Sequence, residues 1–164
     1  MAEEVWLRGP VDGIAPVLQP VAHALIQADE DVSALAPNLS SDRLWANGGA
    51  AAAGFHLLHL AGALDRLFTY ARDERLTDQQ KATLGAESAP HSDLDGPALT
   101  RLVTVGVERA LEQLRSTDPS TVFDERRVGR AGLPSTVLGL LFHAAEHTTR
   151  HVGQFVTTVK LTHS

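Results

Sequence analysis

The feature that most constrains this chain is the run Leu141-Phe142-His143-Ala144-Ala145-Glu146-His147-Thr148-Thr149-Arg150-His151-Val152-Gly153-Gln154. Leu138, Leu141, Ala145, Val152, Phe155 and Val159 recur at helical spacing, so the segment reads as one long helix in which residues four apart share a face. His143, His147 and His151 therefore line up on one side. Imidazoles in that arrangement point to a metal ion, but a helix rises about 1.5 Å per residue, which sets His143 and His151 roughly 12 Å apart. Only neighbouring pairs can share an ion: His143 with His147, or His147 with His151. A tightly held catalytic ion normally needs a third protein ligand, and that ligand has to come from another element.

The 164 residues make a chain of single-domain size, long enough to bury about 70% of its unfolded surface, and residues 1–164 are read as one domain. There is no cysteine, which excludes disulfides, thiolate metal sites and a cysteine nucleophile, and leaves histidine and carboxylate as the available ligands. The formal charge is -6, and the twelve arginines and two lysines are scattered without a basic run, so a nucleic-acid partner is not expected. The start, Met1-Ala2-Glu3-Glu4-Val5-Trp6, is acidic and lacks a signal sequence. No apolar run approaches the roughly 20 residues that span a bilayer, so a cytoplasmic protein without membrane contact is expected.

Apolar spacings of three and four predict a first helix over 12–35, in which Pro20 either kinks the helix or marks where its regular part begins. His23 within it reads as a surface or packing residue. Residues 36–49 read as a loop anchored by Leu44 and Trp45, and Asn47-Gly48-Gly49, followed by small residues without alternation, reads as a loop and not as a hairpin. A second helix over 50–73 buries Phe55, Leu58, Leu64, Leu67 and Phe68 and carries His56 and His59. Thr77 and Gln80 have capping-box spacing and start a short helix that Gly85 ends, after which residues 87–95 read as a connector. A third helix over 96–116 lines one side with Leu99, Leu102, Val103, Val107, Leu111 and Leu114. The polar stretch 117–133 reads as a solvated loop bearing Arg127 and Arg130, and Pro134 suits the first turn of a fourth helix running towards Leu161. The expected fold class is all-α with four main helices, and the long link between helices 2 and 3 permits a crossover connection.

Metal sites in bundles are built from side chains facing inward from different helices, and helix 2 is the other element with clustered histidines. His59 lies between Leu57-Leu58 and Leu60-Ala61, surroundings that look interior, with His56 about 60° around the helix from it; His59 is the preferred third ligand. Gly54-Phe55-His56-Leu57-Leu58-His59-Leu60-Ala61-Gly62 taken with Ala145-Glu146-His147-Thr148-Thr149-Arg150-His151-Val152-Gly153-Gln154 resembles the DinB/YfiT-like superfamily of metal-dependent enzymes, over most of the chain. The resemblance implies a four-helix bundle of up-down-down-up topology. It also implies an ion held by one histidine of helix 2 and a His-x-x-x-His pair of helix 4. On this sequence those are His59, His147 and His151, which leaves His56 and His143 outside the ligand set. It further implies a homodimer, and characterised relatives resemble thiol-dependent S-transferases and isomerases.

Three neutral nitrogens leave an open position on a divalent ion, as in a catalytic site and unlike a closed structural one. Zinc is the default, and nickel, iron or manganese would suit the same donors. Glu146 points about 100° away from His147 and is read first as a partner for Arg150 or for an imidazole, and second as a catalytic group. Arg66 and Tyr70 on helix 2 are further candidate catalytic residues, although an ion pair is the plainer account of Arg66. With no cysteine, no Gly-x-Ser-x-Gly elbow and no phosphate loop, any chemistry has to be activated by the metal. The expected function is a metal-dependent transferase using a small thiol, or a hydrolase, acting on a small molecule. The alternative is a non-catalytic metal-binding or stress-response bundle, dimeric, in which the ion supports the fold.

Overall fold

A computed structural model of the chain describes residues 3–46 and 51–162. Six α-helices occur among them: α1 (Gln19–Leu35), α2 (Ser41–Leu44), α3 (Ala53–Ala71), α4 (Asp78–Ala86), α5 (Gly96–Ser116) and α6 (Val137–Leu161). The first helix starts later than the periodicity suggests. A 3-10 turn over Pro16–Leu18 leads into it, and Pro20 sits in its first turn, where the missing N–H has no helical acceptor to lose. The four-residue α2 interrupts the expected loop over 36–49. Ser40 caps it, its last residue Leu44 is fully buried, and Trp45 fixes the connection by donating from Nε1 to the carbonyl of Leu94 at 2.9 Å. The Asn47-Gly48-Gly49 reading and the expected Ala50 start of helix 2 lie outside the described residues.

The capping box forms in full. Thr77 Oγ1 accepts from the Gln80 amide at 3.1 Å while Gln80 Oε1 accepts from the Thr77 amide at 2.9 Å. Gly85 does not end α4, which continues to Ala86 with Glu87 as its C-cap. α5 occupies the expected span, with Asp95 accepting from the Ala98 amide at its start. Leu102, however, faces outward with Val105, so the buried stripe is Leu99, Val103, Val107, Ala110 and Leu114.

An antiparallel ribbon replaces the loop expected before the last helix. β1 (Glu125–Val128) pairs with β2 (Leu133–Thr136), and Pro134 stands opposite Arg127 instead of opening a helix. Gly129 and Gly132 have φ of 69° and 60°, a left-handed backbone that lets the chain reverse between the strands. The last helix therefore begins at Val137, where Thr136 accepts from the Gly139 amide at 3.0 Å. The fold is mostly helical, with this ribbon as the departure from an all-α chain.

Packing follows from the apolar stripes. α3 lies against α6 and α5, and α1 lies against the same two helices. Leu25 and Val32 of α1, Leu57, Leu60 and Leu64 of α3, Leu99 and Leu114 of α5, and Leu141 and Phe155 of α6 fill the space between them. Among the described residues no helix is long and apolar enough to cross a membrane.

One contact at the head of α5 allows no side chain. The amide of Gly96 donates to the Leu39 carbonyl at 3.1 Å, and a Cβ at this position would run into the carbonyl oxygens of Ala36 and Leu39. Gly96→Ala must push α5 away from the 3-10 turn over Ala36–Asn38, and the expected loss is about 1–3 kcal/mol of unfolding free energy. Urea unfolding followed by circular dichroism checks it; a wild-type midpoint would contradict it.

Candidate metal centre

α3 and α6 pack along each other, and their seam gathers the histidines. One nitrogen each from His59, His147 and His151 lies within 4.8 Å of the others, within reach of a shared cation. The ring centroids of His59 stand 5.1 Å from His147 and 4.7 Å from His151, and those of His147 and His151 are 4.5 Å apart. Among the described residues this is the one cluster of histidines and carboxylates with such proximity.

Two of the three rings are oriented by neighbours. His59 Nδ1 is 2.7 Å from Glu87 Oε2, and His151 Nδ1 is 3.1 Å from Nδ1 of His56. Both contacts engage Nδ1; a neutral His59 that donates to the carboxylate has its lone pair on Nε2, and so does His151 when it is the donor to His56. His147 Nδ1 is buried and finds no partner among the described residues. A buried polar atom without a partner costs about 1–3 kcal/mol, and a cation would satisfy it. The donor set fits a divalent ion: three nitrogens from two helices, without a thiolate and, among the described residues, with no fourth protein ligand in the cluster.

The electrostatics favour the neutral form of His147 and His151, the form a metal requires. Burial first, and then the positive charge of neighbouring groups, pushes His147 and His151 down to about 4. His56 is lowered too, by burial and then by His59. Burial alone would raise the Glu87 carboxyl, but hydrogen bonds from His59 and Arg66 and the charge of Arg66 outweigh it and hold the group below its usual range.

The other candidate residues fall into different roles. Arg66 is buried, and its Nη1 donates to Glu87 Oε1 at 2.5 Å, so it serves an ion pair on the far side of Glu87 from His59. Glu146 is half-buried and engaged with His143 Nδ1 at 2.7 Å and with Arg150 Nη2 at 3.0 Å. Tyr70 is packed against the core at the end of α3, about 16 Å along the axis from His59. Arg127 pairs with Glu125 at 2.8 Å in the ribbon, and Arg130 stands in its turn. His23 meets the Gly9 carbonyl at 3.0 Å. His56, set aside as the less interior of its pair, is the more buried: 7% of it is exposed, against 22% of the His59 side chain. Glu87 was invisible to sequence reasoning, because a single carboxylate in a polar connector carries no sign of a partner 28 residues earlier. Phe55, whose ring stacks on His59 at 5.2 Å, was read only as core.

Residues 2–155 match the family model of the DinB superfamily. No curated protein matches the chain.

Acid should unsettle the metal-free protein through this seam. An unfolded histidine takes up a proton near pH 6.5. The folded His147 and His151 resist until about 4, so their contribution to stability is present above the unfolded value and is lost as pH falls through that window. The melting temperature of chelator-treated protein should fall between about pH 6.5 and 4, and more steeply than that of a His147→Ala, His151→Ala variant. Equal slopes would show that these rings are not held neutral.

Proposed function

Since the chain belongs to the DinB superfamily, we propose that it is a divalent-metal-dependent enzyme whose ion is held by His59, His147 and His151. The observation that carries this reading is the convergence of three imidazoles from two helices with no fourth protein ligand beside them among the described residues. Closed structural sites carry four protein ligands, whereas catalytic sites keep a position open. The His59 side chain, 22% exposed, puts that opening within reach of solvent.

A divalent ion in such a centre supplies a Lewis-acid position at which a water or a small thiol loses its proton near neutral pH. The chain's residues do the remaining work. Glu87 and His56 turn the rings of His59 and His151, and Phe55 covers one face of His59. His143, Glu146 and Arg150 form a polar row on α6 beside the ligands, which a polar small-molecule substrate would meet first. Zinc suits the donors best, with nickel, iron and manganese compatible. Transfer involving a low-molecular-weight thiol is placed ahead of hydrolysis on the strength of the family resemblance. An up-down-down-up course of the long helices, a homodimer and a cytoplasmic location belong to the same reading.

Metal analysis of protein purified at neutral pH should find about one divalent ion per chain, lost in His59→Ala and His147→Ala. Full retention of metal by either variant would refute the ligand assignment. The chelated wild type should keep its helical circular dichroism and a cooperative melt, with thiol-dependent turnover of electrophiles restored by zinc. Loss of the fold on chelation would instead give the ion a structural role.

A further inference from the structure

α4 has no buried residue, and its one large apolar side chain, Leu84, is 45% exposed, so apolar packing attaches it only weakly. Two polar anchors hold it. Near its start, Gln80 Nε2 donates to Asp65 Oδ2 at 2.6 Å and to Thr69 Oγ1 at 2.8 Å, both on α3. At its end, the C-cap Glu87 is driven into the molecule, 2% exposed, and spans two groups of α3: Arg66 at 2.5 Å on Oε1 and His59 Nδ1 at 2.7 Å on Oε2. The carboxylate can lie this close because Gly62 has no side chain; a Cβ there would strike both the Glu87 carboxylate and the Arg66 guanidinium.

A carboxylate only accepts, so the proton of the His59–Glu87 contact is on Nδ1 and the lone pair of Nε2 is presented to the seam with α6. Burying that carboxylate is tolerable because Arg66 neutralises it in bidentate fashion, with Nη2 at 3.3 Å from Oε2 as the second contact. We propose that Glu87 is a positioning residue for His59, and that it couples attachment of the connection between α3 and α5 to occupancy of the metal centre. The proposal rests on the metal reading above. A cation on Nε2 makes Nδ1–H a stronger donor and so tightens the hold on Glu87; by linkage, a detached connection weakens cation binding by the same factor.

The test is zinc titration of the full chelator-treated chain, with hydrogen exchange of residues 78–87 measured with and without zinc. Two variants are compared with wild type. Arg66→Met with Glu87→Met removes both ends of the ion pair and leaves no buried charge unpaired, whereas Glu87→Gln keeps an acceptor oxygen for Nδ1–H. The double variant should bind zinc about 10–100-fold more weakly, and Glu87→Gln should fall between it and wild type. Zinc should slow exchange over 78–87 in wild type and not in the double variant. Should the double variant not fold, Glu87→Gln alone decides, by the same two readouts. Wild-type affinity in a folded variant, or exchange over 78–87 indifferent to zinc in wild type, would overturn the coupling and leave the metal reading intact. Failure of wild type to take up zinc would overturn both.

Discussion

The packing of α3 on α6 sets the conditions for everything else in this molecule, because it concentrates uncharged bases in a half-buried seam. His56 and His59 enter from one helix, and His147 and His151 from the other. A proton taken up by His147 or His151 would be desolvated and would face neighbouring imidazoles, so burial favours the neutral form of these two rings. Neutral imidazoles with buried lone pairs are poor neighbours for one another and good ligands for a cation.

The second constraint is the buried Glu87–Arg66 pair. Judged on stability alone, such a pair is a weak device, since hydrophobic residues of similar volume often serve as well. Its position gives it a different meaning. The pair lies behind a histidine that needs a fixed tautomer, and it is held at the end of α4, a helix without a buried residue of its own. The connection between α3 and α5 is in this sense part of the centre, although it supplies no atom to the ligand set.

Much of the fold could be read from local patterns. The span of α5 follows from its apolar spacing together with Asp95 and Pro97 at its head, and the start of α4 follows from Thr77 and Gln80. Pro20 left two readings open, a kink in a helix from 12 or the start of its regular part, and it stands in the first turn of α1. What escaped was decided by tertiary context. The ribbon over 125–136 has no alternation of apolar and polar residues, and its signal was confined to two glycines in a left-handed turn. Leu102 belongs to the apolar rhythm of α5 but faces solvent, because the burying neighbours lie on the other side of the helix. In the centre, helix spacing alone could not choose between His143–His147 and His147–His151; the choice came from resemblance to a family. The relative burial of His56 and His59 was misjudged because it depends on where α6 lies, which no window on α3 contains.

The central claim, that α3 and α6 share one cation through three imidazoles, is tested most directly by anomalous diffraction at the zinc absorption edge from crystals of the zinc-loaded protein. The account predicts a single strong peak in the seam, about 2.0–2.1 Å from one nitrogen each of His59, His147 and His151. A seam without a peak, or a peak held by His143 and Glu146 on the outer face of α6, would contradict it.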